Sequence, residues 1–186
     1  MIKYIHKIKH ISKWESENKR FFDEFLFSKI GLLFCPKILM LGINPSAKQN
    51  QFCDSTNLKL INALLKFNET SPKKFKGYIL TNFSSKVDSQ WKQLSVADYD
   101  FELKVLEKWL GMNRPICLFY GPYFINSSSK DIKNTIFTNK FRSLIEEYRE
   151  NIFITTYNGK FVHPSHNPTV EIEKYNPDEH TIYPIK

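Results

Sequence analysis

The chain has 186 residues, 41% of them apolar, which is enough for one sizeable core and hardly for two. Lys and Arg number 27 against 19 Asp and Glu, a formal charge of +8 that favours a phosphate-bearing partner or else reflects a basic, well-solvated surface. No apolar run is long enough to span a bilayer, the first residues hold no signal-type apolar stretch, and Cys35, Cys53 and Cys117 are odd in number without C-x-x-C spacing; these features disfavour a membrane partner, secretion, a disulfide frame and a zinc or iron–sulfur centre. The expectation is a single cytoplasmic domain over residues 1–186 with no cofactor.

In chain order, a basic N-terminal segment carries Lys3, Lys7, Lys9 and Lys13. Trp14, Phe21, Phe22 and Phe25 then fall at i, i+7, i+8 and i+11, which predicts a helix within residues 1–35. The run Ile38-Leu39-Met40-Leu41-Gly42 reads as a buried strand that delivers Ile43-Asn44-Pro45-Ser46 to its own end. Leu58, Ile61, Leu64 and Leu65 repeat at helical spacing, with Asp54 or Ser55 placed to cap the first free amides. A loop with Lys73, Lys74 and Lys76 leads into a second strand, Tyr78 to Asn82. Phe101, Val105, Leu106 and Trp109 form another helical stripe, stopped by Gly111, before a third strand from Ile116 to Tyr120 that ends at Gly121-Pro122. Phe137, Phe141, Leu144, Ile145 and Tyr148 make a last helix, and Ile152-Phe153-Ile154 a fourth strand followed by His163-Pro164-Ser165-His166. Residues 169–186 read as a C-terminal tail.

Near-continuous apolar strands alternating with amphipathic helices predict an α/β fold, a three-layer α/β/α sandwich with a central, mainly parallel four-stranded sheet. Ligands of such sheets sit beyond the carboxyl ends of the strands, where Asn44, Asn82, Gly121 and His163 are expected to gather.

These residues carry a resemblance. Gly42-Ile43-Asn44-Pro45 is similar to the first motif of the uracil-DNA glycosylase superfamily, closest to its mismatch-specific uracil and thymine branch, and His163-Pro164-Ser165 resembles the second motif of the main branch. Ile79-Leu80-Thr81-Asn82 resembles the strand that ends in a base-reading Asn, and Leu118-Phe119-Tyr120-Gly121 the third strand, ending in an aromatic and Gly. The four matches keep the family's order across roughly residues 36 to 168. The chain also resembles a poorly characterised bacterial and viral domain family with Asn-Pro-Ser, a following Asp-x-Thr (Asp54 to Thr56), a strand-end Asn-Phe and a closing Gly-x-x-x-His-Pro (Gly159 to Pro164).

The resemblance implies a monofunctional, monomeric DNA glycosylase that hydrolyses the N-glycosidic bond of a uracil-like, mismatched or modified pyrimidine. It assigns Asn44 to orienting the water and His163 to hydrogen-bonding the leaving base, with Asn82 reading that base and Phe52, Phe83 or Tyr123 stacking on it. Ser46, Ser165, Lys48 and His166 fall to phosphate and DNA contacts. Ser46 stands where the main branch has a bulky aromatic, which implies a pocket open to thymine or a modified base. His166-Asn167-Pro168 replaces the apolar wedge that fills the gap left by a flipped base, which implies single-stranded, mismatched or base-modified DNA, or a free nucleotide, as substrate.

Competing readings exist for each residue. Asn44 and Asn82 could merely tie off strand ends through their backbone neighbours. His163 and His166 could be half of a metal site, without a carboxylate or Cys partner nearby in sequence. Asp54 and Thr56 suit a helix cap, and the segment from Gly42 to Lys48 lacks the second Gly and Lys-Ser/Thr ending of a P-loop. The competing function is a non-catalytic nucleic-acid or nucleotide binder on the same fold.

Overall fold

The computed structural model describes residues 8–16, 19–27, 30–42, 55–82, 96–121 and 135–182. They form an α/β structure with one mixed sheet. In chain order the elements are β1 (Ile8–Ser16), β2 (Lys19–Phe27), β3 (Ile38–Gly42), α1 (Ser55–Thr70), β4 (Gly77–Asn82), α2 (Val96–Gly111) and β5 (Ile116–Leu118), then α3 (Thr135–Glu147), β6 (Ile152–Tyr157), β7 (Lys160–Phe161) and β8 (Glu171–Lys174). The sheet runs β1-β2-β4-β3-β5-β6-β7, with β8 also paired to β6.

The four strands read from the sequence are the parallel centre: β3 lies between β4 and β5, and β5 pairs with β6, all in parallel. The sheet is nevertheless eight-stranded, because antiparallel strands are added on both sides. Parallel strands covered on both faces bury nearly every residue. All five residues of β3 and all three of β5 are buried accordingly.

The period of two sorts their side chains into two apolar clusters. Leu39, Leu41, Ile116, Leu118, Ile152 and Ile154 join Leu103, Leu106 and Leu110 of α2 and Phe141 and Ile145 of α3. Ile38, Met40, Cys117 and Phe153 join Leu60, Ile61, Ala63 and Leu64 of α1. Leu58, counted in the helical stripe, is 43% exposed; the buried face of α1 is instead centred on Leu60, Ile61 and Leu64.

The helix expected within residues 1–35 is corrected: among the described residues this stretch holds the antiparallel β1–β2 pair and a 3-10 turn at Ile30–Leu32. The sequence of β2 holds a second period that the helical stripe obscured. Asp23, Phe25 and Phe27 are buried, while Glu24 and Leu26 between them are half-buried. Aromatic residues suit a pleated surface, and β4 offers an edge to pair with. Phe25 lies opposite Tyr78, and their rings stack at 4.6 Å and 21°. That partner outweighs the local helical spacing. The tail expected at 169–186 is likewise corrected, since it contains β8, antiparallel to β6 from Phe153↔Lys174 to Thr156↔Glu171. Among the described residues no helix is long and apolar enough to cross a membrane.

The alternation in β2 is testable by denaturant unfolding. Phe25→Ala should cost about 3–5 kcal/mol, the usual range for a buried Phe, and half-buried Leu26→Ala distinctly less. Equal losses at the two positions would contradict the alternating burial.

Candidate functional site

Because β4, β3, β5 and β6 run parallel, their carboxyl ends meet at one edge. Gly42 closes β3 and is paired in register with Asn82, the last residue of β4. A Cβ on Gly42 would lie 2.6 Å from the Asn82 Oδ1 and 2.5 Å from the Phe119 Cζ. Neither separation is tolerable, so glycine here lets the Asn82 amide and the Phe119 ring close over the end of β3. Asn82 is 7% exposed and Phe119 4%.

His163 arrives by a route the sequence reading did not foresee. After β6, Asn158 and Gly159 (φ 51° and 72°) make a two-residue turn, and β7 returns antiparallel, pairing Tyr157 with Lys160 and Thr156 with Phe161. Thr156 also pairs with Glu171 of β8, and Ile154 pairs with both Leu118 of β5 and Glu173 of β8. A strand residue has one neighbour on each side, so β7 lies on the β5 side of β6, in the row that β5 vacates after Leu118. Beyond β7 the Val162 N–H donates to the Thr155 carbonyl (3.0 Å), and the Thr155 hydroxyl donates to the Val162 carbonyl (2.6 Å). His163 is thereby set against the end of β5. Gly121 has φ +65°, and a Cβ there would lie 2.3 Å from the His163 backbone nitrogen.

The Phe119 ring links the two halves, its centroid 5.8 Å from that of His163. Asn82, Gly42, Phe119, and His163 with Gly121 thus form one contiguous row. Phe119 stood in the third-strand match without a site role. The Asn158-Gly159 pair, the strongest short hairpin signal, would have announced β7.

Ser165 holds the Nδ1 side of the His163 ring. The Ser165 backbone N–H donates to its Nδ1 (3.2 Å), with the Ser165 Oγ 2.7 Å from the same nitrogen. Since Nδ1 accepts, the neutral ring carries its proton on Nε2 and presents a donor there. Pro164–His166 forms a 3-10 turn. The Asn167 side-chain amide donates to the His163 carbonyl (3.1 Å), and Lys59 of α1 donates to the Pro164 carbonyl (2.8 Å). Ser165 and His166 are exposed on this turn, with the His166 ring centroid 5.9 Å from that of His163.

The structure thus brings Asn82, His163, Ser165 and His166 to this edge. Asn44, Ser46, Lys48, Phe52, Phe83 and Tyr123 lie outside the described residues. Among the described residues no group of three or more His, Cys, Asp or Glu side chains could hold a metal ion. Cys117 is fully buried within β5, and burial pushes its thiol far up, so it supplies no thiolate nucleophile to His163 at neutral pH. No family model, curated protein or solved structure matches the chain.

The tautomer can be read from imidazole nitrogen shifts in an NMR spectrum. His163 should show a protonated Nε2 and an unprotonated Nδ1 at neutral ring charge. Ser165→Ala should preserve this pattern, because the backbone N–H donor remains; a proton on Nδ1 would contradict the geometry.

Proposed function

We propose that the chain is a DNA glycosylase, hydrolysing the N-glycosidic bond of a uracil-like, mismatched or modified pyrimidine. The observation that carries this reading is the row of Asn82, Phe119 and His163 at the carboxyl edge of the parallel strands. Breaking the bond leaves a base anion and an oxocarbenium-like sugar, and water adds to the sugar on its far face. The enzyme's task is then to stabilise the leaving base.

The His163 Nε2–H is suited to donate to the base carbonyl as negative charge gathers there, and a neutral ring suffices. Asn82 offers one donor and one acceptor, enough to read the Watson-Crick edge of a flipped pyrimidine. Asn44, two residues beyond Gly42 in sequence, is assigned the attacking water. As an amide it positions rather than deprotonates, so turnover is expected to be slow. Phe52, Phe83 and Tyr123 are assigned to stacking, and Ser46, Lys48, Ser165 and His166 to phosphate contacts. The two apolar clusters, one with α1 and one with α2 and α3, support a three-layer α/β/α arrangement. We extend the reading to a cytoplasmic monomer acting on single-stranded, mismatched or base-modified DNA.

The second reading is a non-catalytic nucleic-acid or nucleotide binder. It is favoured by the polar run His166-Asn167, exposed and half-buried, where an apolar wedge would be needed for extrusion from a duplex.

An abasic-site assay on oligonucleotides bearing uracil, thymine mismatches or modified cytosines separates the two. Wild type should release one of these bases, and His163→Ala should lower turnover by on the order of a hundredfold with little change in DNA affinity. Binding without release of any base favours the second reading. Equal losses of affinity and turnover would remove His163 from the transition state.

Asn82→Asp provides a sharper check. It exchanges the amide donor for an acceptor at nearly the same size. Uracil presents an acceptor at its 4-position, where cytosine presents an amino donor. A uracil or thymine reader should therefore lose its base and gain some action on cytosine. An unchanged base preference in an active variant would rule out Asn82 as the reader.

A further inference from the structure

We propose that the opposite, amino-terminal edge of the parallel strands holds a phosphate-binding cleft. The cleft, about 250 Å³, is lined by Pro36, Lys37, Lys76, Ile79, Trp109 and Arg114. Pro36 and Lys37 precede β3, Lys76 precedes β4, and Arg114 precedes β5, so three parallel strands each deliver a cation to the same end. Among the described residues no carboxylate lines the cleft. Glu24 pairs with Lys37, leaving Lys76 and Arg114 as its two uncompensated charges among the described residues.

The walls are cross-bonded, which fixes the backbone positions that carry the cations relative to one another. The Lys76 N–H donates to the Pro36 carbonyl (3.0 Å), and the Leu39 N–H to the Pro115 carbonyl (3.1 Å). The Trp109 indole N–H donates to the same Pro115 carbonyl (3.0 Å). The Arg114 guanidinium then lies over the Trp109 ring, 4.9 Å from its centroid. A guanidinium attracted to an aromatic face through its charge spends none of its N–H groups there, and a planar fork of donors matches phosphate oxygens. Lys76 adds a point charge.

A simpler role exists for Arg114, which follows the carboxyl end of α2 and offsets its dipole. That role explains neither Lys76 nor the cleft between them. The shared ligand chemistry is a phosphate, either a terminal one on a nucleotide or a diester in a nucleic-acid strand. The proposal is independent of the glycosylase reading, since no residue of the row at the carboxyl edge takes part.

The test uses the whole chain and two probes, pyrophosphate and an oligothymidylate without terminal phosphates, followed by tryptophan emission and by direct calorimetry. The Lys76→Gln/Arg114→Gln double variant should bind one of them about tenfold more weakly or worse. Lys140→Gln, an exposed change on α3, should bind as wild type. The unfolding midpoint of the double variant serves as the control for folding, and Trp109→Phe should abolish the emission change. Loss confined to pyrophosphate assigns a terminal phosphate; loss with the oligonucleotide assigns a diester. Failure of wild type to bind either probe, or equal affinity in wild type and double variant, overturns the proposal.

Discussion

Three residues of β5, and no more, set the geometry of the carboxyl edge. Had β5 continued alongside β6 past Leu118, the row beside Tyr157 would be filled and β7 would have no place to pair. The chain instead leaves the strand at Phe119, whose N–H still donates to the Leu41 carbonyl (3.0 Å). It turns at Gly121, against which the backbone of His163 comes to rest. A side chain at 121 is excluded twice over, by a positive φ and by contact with backbone atoms that cannot swing aside. At Gly42 the obstacle is different, two buried side-chain ends, the Asn82 Oδ1 and the Phe119 ring, which a Cβ would force to shift. The spacing between an amide on β4 and an imidazole after β7 is thus fixed by two missing Cβ atoms and one phenyl ring.

What supports that row comes largely from the C-terminal segment. Tyr120 is fully buried, its hydroxyl donates to the Ile182 carbonyl (3.0 Å), and its ring meets Phe161 of β7 edge-on at 5.0 Å. Ile182 is itself fully buried. Upstream, the Asn176 N–H donates to the Nδ1 of His180, which is 7% exposed, and Tyr175 belongs to the same apolar cluster as Tyr120. The residues on either side of Gly121's approach to His163 are therefore anchored by chain that follows the site in sequence. Rigid backing of this kind is what a preorganised hydrogen-bond donor requires, because a mobile imidazole would lose on each encounter the alignment that its electrostatic effect depends on.

The parts of this fold legible in the sequence were those whose period has one meaning. Phe141 and Ile145 are buried at the helical spacing read for them, and Leu106 of the α2 stripe is buried too, although Leu103 and Leu110 share its face and Val105 is exposed; Ile38 to Leu41 is a short, uniformly apolar run and is a buried strand. β2 was ambiguous because Trp14, Phe21, Phe22 and Phe25 fall on a helical stripe while Asp23, Phe25 and Phe27 are buried at a period of two, and the partner strand β4 decides between them. β8 was illegible for a different reason: Glu171-Ile172-Glu173-Lys174 contributes one buried apolar side chain, and its identity as a strand comes from pairing with β6. For the site, a polar residue ending an apolar run was a sufficient signal for Asn82. His163 was singled out by its motif, but its position beside Gly121 depends on the β6–β7 turn.

The chemical character of the edge bears on which reactions it can serve. Its described polar side chains include an amide, an imidazole, a hydroxyl and a second imidazole, from Asn82, His163, Ser165 and His166, with the Asn167 amide and the Lys59 ammonium bonded to backbone carbonyls of the turn. The Ser165 amide keeps the His163 Nδ1 occupied as an acceptor, which withdraws that nitrogen from use as a base and leaves Nε2 to donate. A His163 ring held in this way is poor at abstracting a proton through Nδ1 and good at meeting negative charge as it forms. Reactions limited by nucleophile activation gain little from it, whereas reactions limited by departure of an anion gain the most, because a fixed donor strengthens its hydrogen bond as charge builds without reorienting. Loss of a pyrimidine from its sugar is of the second kind, and that match between donor polarity and leaving-group charge is why the glycosylase reading is preferred over hydrolytic chemistry that would need a general base.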